Sequence, residues 1–221
     1  MKPVTLFTQL IMLGVILLSF PACNGILGNI YDEPFAEEKN EFGFIETDKA
    51  NNSGTVYIDA TSYTRWTYID FHALIVDSLK ITEDMREPEN WDIAVHRYDA
   101  KTNGASVLET GFTGLSTLKT SGEIPKGDYI SDEWTTNKIV VDMSGMMDGK
   151  LKYAESYYNR ELSKWLFVDT STMPPAYNPS NKVYVIKLKD NTVAAVRLRN
   201  FMDTSGIKGY MTIDYIYPFK I

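Results

Sequence analysis

The chain has 221 residues and a formal net charge of −7, with 22 Lys and Arg set against 29 Asp and Glu. A negative surface argues against a nucleic-acid partner, whose phosphate backbone calls for a basic face. Apolar residues make up 44% and aromatics 13%, including 14 Tyr and 4 Trp, so the chain can bury a core and leans toward strands; its single Cys excludes an internal disulfide.

The N-terminus reads as a targeting segment. Lys2 gives a short positive region, and Leu10 to Phe20 is an apolar run of signal-peptide length, too short for a comfortable membrane span. Phe20-Pro21-Ala22-Cys23 follows, with the cysteine directly after a small residue as in a bacterial lipobox, although Phe is less usual than Leu at its first position. Residues 1–22 are therefore expected to be a lipoprotein signal peptide, and Cys23 the lipidated first residue of a chain anchored to a membrane without crossing it. Residues 23–54 read as a lipid-anchored tether. Asp32-Glu33-Pro34, Glu37-Glu38-Lys39-Asn40 and Asn51-Asn52-Ser53-Gly54 are polar and turn-rich, with no sustained period. Phe42, Phe44 and Ile45 stand out within it as side chains able to dock on the domain.

From Thr55 the pattern changes, and residues 55–221 read as one all-β domain of mostly antiparallel strands. Val56 to Ala60 alternates and then turns, and Trp66-Thr67-Tyr68-Ile69-Asp70-Phe71 is aromatic and β-branched. Leu74 to Leu79 is a second apolar run, with a short helix as its alternative. His72, between the two, reads as a sheet-edge or partly buried residue. In Asn90 to Asp99, Trp91, Ile93 and Val95 share one face of an extended chain while Asp92, Ala94 and His96 share the other. Residues 107–137 carry scattered apolar positions among Gly and Thr, which suggests short strands with tight turns; Trp134 there is a packing or a cleft residue. Val183 to Leu188 and Val193 to Leu198 form a hairpin expected to turn on Asp190-Asn191, and Tyr210 to Tyr217 is a last strand closed by Pro218.

The stretch from Ile139 to Tyr177 departs from ordinary composition. A strand ends in Met143-Ser144-Gly145-Met146-Met147-Asp148-Gly149, a second strand follows at Leu151 to Ser156, and a third at Trp165 to Val168 leads into Met173-Pro174-Pro175-Ala176-Tyr177. Gly145 and Gly149 bracket the Met pair as in a turn, and the two prolines put Met173 at a strand exit. Thioethers usually fill cores, so four of them on loop positions admit two readings. Either the turns fold back on the core, or the sulfurs line a cleft between two loops that holds a soft metal or a large flat apolar molecule.

Four segments carry a family resemblance: Asp59 to Tyr68 (DATSYTRWTY), Asn90 to Asp99 (NWDIAVHRYD), Pro179 to Tyr184 (PSNKVY) and Gly209 to Pro218 (GYMTIDYIYP). In that order, behind a lipobox, they resemble the HmuY-type haem-binding lipoproteins of Bacteroidetes. The resemblance implies a single HmuY-like all-β domain that captures haem outside the cell. It also implies a TonB-dependent outer-membrane haem transporter as partner, and a place on the outer membrane facing the surface, with release as a variant. In the best-known members two histidines, one from each of two loops, are the axial ligands. Neither loop region here has a histidine, whereas other members use methionines. The positions that could take that role are Met143, Met146 and Met147 in the first loop and Met173 in the second, with Met146 and Met173 the foremost pair and Met147 next. Tyr177 and Trp165, with Tyr153, Tyr157 and Tyr158, flank the loops as candidate contacts to the macrocycle or as ordinary packing.

An enzyme is not expected. The sequence has no phosphate-cradling glycine loop, no paired-histidine zinc helix and no nucleophile elbow, and two histidines give a triad little material. Rival readings are a surface adhesin or structural lipoprotein with packed Met loops, a binder of an iron-free porphyrin or another apolar ligand, and a hydrolase built on an unmarked carboxylate pair.

Overall fold

The structure is a computed structural model and describes residues 39–82 and 85–220; the expected signal peptide, Cys23 and the first half of the expected tether, to residue 38, lie outside the described residues. Fifteen strands account for most of it. A seven-stranded antiparallel sheet has the order β1-β2-β15-β14-β13-β7-β8, built from Gly43–Asp48, Ser53–Asp59, Lys208–Ile216, Val193–Met202, Tyr184–Lys187, Ser106–Glu109 and Ile130–Ser131. A four-stranded sheet has the order β4-β3-β5-β6, from Ile75–Lys80, Arg65–Asp70, Ile93–His96 and Asp99–Thr102. Two further hairpins stand apart: β9 (Glu133–Gly145) with β10 (Lys150–Tyr158), and β11 (Leu166–Asp169) with β12 (Ala176–Pro179).

The main core is drawn from both sheets. Val56, Ile58, Ile186, Val196 and Ile213 of the larger meet Ile69, Val76, Ile93 and Val95 of the smaller, and Trp165 and Leu166 close one end. Period-2 alternation sends apolar side chains to both faces of each sheet where part of the outer face is covered in turn. Beyond the larger sheet, Val183, Val185 and Ala195 pack on Leu118 of a short helix, α1 (Leu115–Thr120). Beyond the smaller sheet, Trp66, Tyr68, Trp91 and Ala94 pack on Ile139 of β9, with Ala154 and Tyr158 of β10 at the margin. The root of the β9–β10 hairpin is thereby fixed to the outer face of the four-stranded sheet. Lys101 is buried in the same layer, its ammonium 4.3 Å from the Trp66 ring centre and paired with Glu87.

Several expectations are corrected. The larger sheet begins inside the expected tether: β1 pairs with β2 along its whole length, and Ile45 is buried in the main core. The stretch 107–137 holds α1 as well as strands, because Leu115 and Leu118 fall one helical turn apart and Leu118 finds an apolar surface to cover. Leu74 to Leu79 is strand from Ile75 onward and not helix. The turn between β13 and β14 is longer than Asp190-Asn191 alone: Leu188 N–H still donates to Thr192 O at 2.9 Å, which leaves a three-residue loop with Asn191 at φ +69°. Trp91 packs with Ala94 rather than with Ile93 and Val95, since it precedes the strand and is free of its alternation.

Candidate functional site

The two methionine segments form the tips of the two free-standing hairpins. At the first tip, Met146–Asp148 makes a single 3-10 turn between β9 and β10. Glycine is required on both sides of it. A Cβ at Gly145 would lie 2.2 Å from the Lys150 carbonyl oxygen, and Gly149 has φ +68° with its N–H donating to Met146 O at 3.1 Å. The tight turn turns the thioethers outward: Met147 is 91% exposed and Met146 48%. Asp142 braces the strand below by accepting the Ser144 N–H at 2.8 Å and pairing with Lys152 at 3.1 Å. Those contacts, the Ser144 bonds foremost, hold its carboxyl down at about 2. Three irregularities in the β9–β10 register twist this hairpin.

At the second tip, Met173 is 85% exposed in the loop between β11 and β12, next to Pro174. Asp169 closes the loop base by accepting the Ser171 N–H at 2.9 Å, and hydrogen bonding to Ser171 lowers its pKa. Aromatic side chains continue the apolar surface of both hairpins. Phe167 on β11 is exposed, and Trp134 on β9 packs edge-on against Tyr157 on β10 at 5.2 Å, both largely exposed.

The hairpins share one root. Residues 159–165, which join β10 to β11, are pinned to β6 and the residue before it: Asn159 N–H donates to Ala100 O at 2.7 Å, Ala100 N–H to Ser163 Oγ at 2.9 Å, and Trp165 Nε1 to Tyr98 O at 2.7 Å. Asn159 is fully buried and saturated. Its Nδ2 donates to Asp132 Oδ1 at 2.8 Å and Ile130 O at 3.1 Å, and its Oδ1 accepts the Glu161 and Leu162 N–H groups at 3.2 and 2.8 Å.

The expected site residues divide accordingly. Met146 and Met147 share one exposed tip, and Met173 occupies the other. Met143 lies within β9 and is half-buried, a strand residue rather than a loop residue, because β9 runs on to Gly145. Trp165 is a correction: it is wholly buried with its indole N–H spent on Tyr98 O, since the 3-10 turn Leu162–Trp165 directs it into the core. Tyr177 is half-buried, stacked on Phe201 at 5.2 Å beneath the Lys208 ammonium at 4.2 Å, with only part of its surface free. Tyr158 packs in the layer under β10, while Tyr153 is exposed. Phe167 and Asn159 escape the sequence reading. Leu166 is buried, so strand alternation sends Phe167 outward, but sequence alone leaves the phase open.

The histidines are remote in kind from the methionine tips. His96 is buried in β5, its Nε2–H donating to Tyr63 O at 2.8 Å, and burial lowers its pKa to about 4. His72 lies in the turn after β3, beside a cavity of about 680 Å³ lined by Asp70, Asp92 and Asp190 among others.

No curated protein matches the chain. Solved structures do. A Bacteroides vulgatus protein described as HmuY-like and haem-binding is 64% identical, covering 82% of this chain and 100% of its own, with a TM-score of 0.77. A Bacteroides fragilis protein described as a lipoprotein is 58% identical over 81% of this chain and 97% of its own, with a TM-score of 0.78. An HmuY analogue from Tannerella forsythia shares the fold at 24% identity and a TM-score of 0.62, over 80% of this chain and 97% of its own. The HmuY family model, described as HmuY protein, matches residues 62–215, which takes in the four-stranded sheet, both methionine hairpins and the seven-stranded sheet apart from β1 and β2. By that match and by its identity to the two Bacteroides structures, the chain belongs to the HmuY family.

Proposed function

We propose that the protein is a haem-binding surface lipoprotein that holds haem between its two methionine hairpins, with Met146 and Met173 as axial ligands. The observation that carries this reading is the exposure of three unbranched thioether side chains on two tips with a common root. Apolar groups held in water by tight, glycine-dependent turns gain stability when a flat apolar ligand covers them. Sulfur is also a soft, neutral donor suited to haem iron, and the exposed Trp134, Tyr153, Tyr157 and Phe167 extend the apolar surface. The 64% identical relative described as haem-binding supports the ligand class. The function is capture and release rather than turnover, so no chemical step is assigned to any side chain. Cys23 supplies the lipid anchor on the outer membrane, residues 1–22 the signal peptide, and a TonB-dependent haem transporter receives the cargo.

The test is an absorbance titration of haem, under a strong reductant, into residues 24–221. A chain lacking its first residues is suitable because the solved relatives fold over the corresponding 81–82%. Met146→Ala and Met173→Ala should each weaken binding by roughly tenfold or more and abolish the low-spin bands. Bands that survive both substitutions would reject this ligand pair, and Met147→Ala run alongside identifies whether its neighbour on the 3-10 turn serves instead. A flat titration would remove haem and favour an adhesin or another apolar cargo.

A further inference from the structure

Asp70, at the end of β3, and Asp92, just before β5, come side by side because Asp92 N–H donates to Ile69 O at 2.9 Å. His72 follows Asp70 into the turn and places Nδ1 3.2 Å from Asp92 Oδ2 and 3.7 Å from Asp70 Oδ1. One donor atom from each of the three residues falls within 4.8 Å of the other two. Both carboxylates are buried and already aimed. Asp70 Oδ1 accepts the N–H groups of His72 and Ala73 at 2.7 and 2.9 Å, and Asp92 Oδ2 accepts that of Phe71 at 2.7 Å. The far side of the ring is held from the other sheet: His72 Nε2 lies 2.9 Å from Asp190 Oδ2, in the β13–β14 loop.

That last contact decides the electrostatics. A carboxylate only accepts, so Nε2 carries its hydrogen toward Asp190, and whenever the ring is neutral its Nδ1 lone pair faces two carboxylate oxygens. Three electron-rich atoms converging on one point repel unless a positive centre lies between them. A proton on Nδ1 serves Asp92 at 3.2 Å, while Asp70 Oδ1, at 3.7 Å, lies beyond its hydrogen-bond reach and keeps only its two backbone N–H donors. A cation serves all three. Donors about 2.1 Å from a tetrahedral ion stand roughly 3.4 Å apart, and the two measured separations bracket that spacing. A carboxylate on the outer nitrogen is also the usual support of a metal-bound imidazole, fixing its tautomer.

We infer that Asp70, His72 and Asp92 form a divalent-cation site, with Asp190 orienting the histidine. One imidazole nitrogen with two carboxylate oxygens suits a first-row ion such as Zn²⁺ better than the all-oxygen shell Ca²⁺ prefers. The site opens on the cavity of about 680 Å³, where Glu89, Asn90 and Asn103 also contribute polar atoms and water can fill the remaining positions. A bound ion would tie the four-stranded sheet, through His72, to the Asp190 loop of the seven-stranded sheet. The inference stands apart from the haem reading, since none of these residues lies on a methionine hairpin.

The probe is ZnCl₂ titrated by calorimetry into EDTA-treated residues 24–221 in a non-coordinating buffer at neutral pH, with CaCl₂ as a second arm. One equivalent of Zn²⁺ should bind in preference to Ca²⁺. His72→Gln and Asp92→Asn should each weaken binding at least tenfold, and Asp190→Asn by roughly 10- to 100-fold, as outer partners of metal histidines do. His72 is partly exposed, so its substitution leaves the core intact, which circular dichroism checks; haem binding by the same variant should be unchanged. Absence of saturable binding, binding unaltered by His72→Gln, or equal preference for Ca²⁺ would each overturn the assignment.

Discussion

His96 shows how much one buried side chain can say about stability. It sits at the end of β5 against Trp66, with ring centres 5.5 Å apart, and its Nδ1 has no hydrogen-bond partner among the described residues. Protonating that nitrogen puts an uncompensated charge in the core, so burial holds the pKa at about 4. In the unfolded chain the imidazole takes up its proton near 6.5, so between 6.5 and about 4 the unfolded state binds more protons. Stability is therefore expected to fall as pH drops through that window, by about 3 kcal/mol from this residue. Asp99, which burial raises to about 7, contributes the opposite slope in an overlapping range. The comparison that isolates His96 is thus urea unfolding of wild type and His96→Gln at several pH values. The variant should lose part of the acid sensitivity, and identical pH profiles would reject the reading. The neighbouring Arg97 ties three of the four signature stretches together. At φ +56° its guanidinium lies 4.6 Å from the Tyr63 ring centre and donates to the carbonyls of Thr61 and Lys208, joining Asp59 to Tyr68, Asn90 to Asp99 and the strand that enters Gly209 to Pro218.

At the scale of elements, the hairpins are separable from the sheets that carry them, and Asn159 is the joint. Its four side-chain hydrogen bonds link the end of β10 to β8, to Asp132 and to the start of the 3-10 turn before β11. Asn159→Ala leaves the buried Leu162 N–H without its side-chain acceptor and strips one of the donors from Asp132 Oδ1, at a cost of about 3 kcal/mol. Urea unfolding should register that loss, and haem affinity should fall with it because both tips hang from this joint; a change under about 0.5 kcal/mol would show the joint to be dispensable. Sequence reading caught the hairpins because Gly145, Gly149, Pro174 and Pro175 punctuate them. It placed Trp165 on the wrong side because the 3-10 turn Leu162–Trp165 resets the strand phase just before β11. It overlooked Asn159, an ordinary turn residue in sequence, since a polar hub is defined by partners 27 to 29 positions away.

For the whole molecule, the all-β architecture was legible from alternation and turn spacing, and the family from four short stretches. The sheet boundary was less so. Residues 43–48 are polar enough to read as tether, and only the pairing of β1 with β2 shows that Ile45 is core. The stretches that carry the resemblance build the sheets and the Arg97 clasp, whereas the proposed ligands lie on hairpins whose sequence differs from the histidine-bearing pattern. Fold and ligand chemistry are thus written in different parts of the chain, and a thioether pair has a consequence that an imidazole pair lacks. Neutral sulfur favours ferrous over ferric iron, and imidazole holds both. The most direct measurement is the haem affinity of residues 24–221 in air and again, without oxygen, under a strong reductant. Methionine ligation predicts tighter binding of the reduced form, by roughly tenfold or more (~1.4 kcal/mol), with low-spin bands that sharpen on reduction. Ferric haem bound as tightly as ferrous would contradict it.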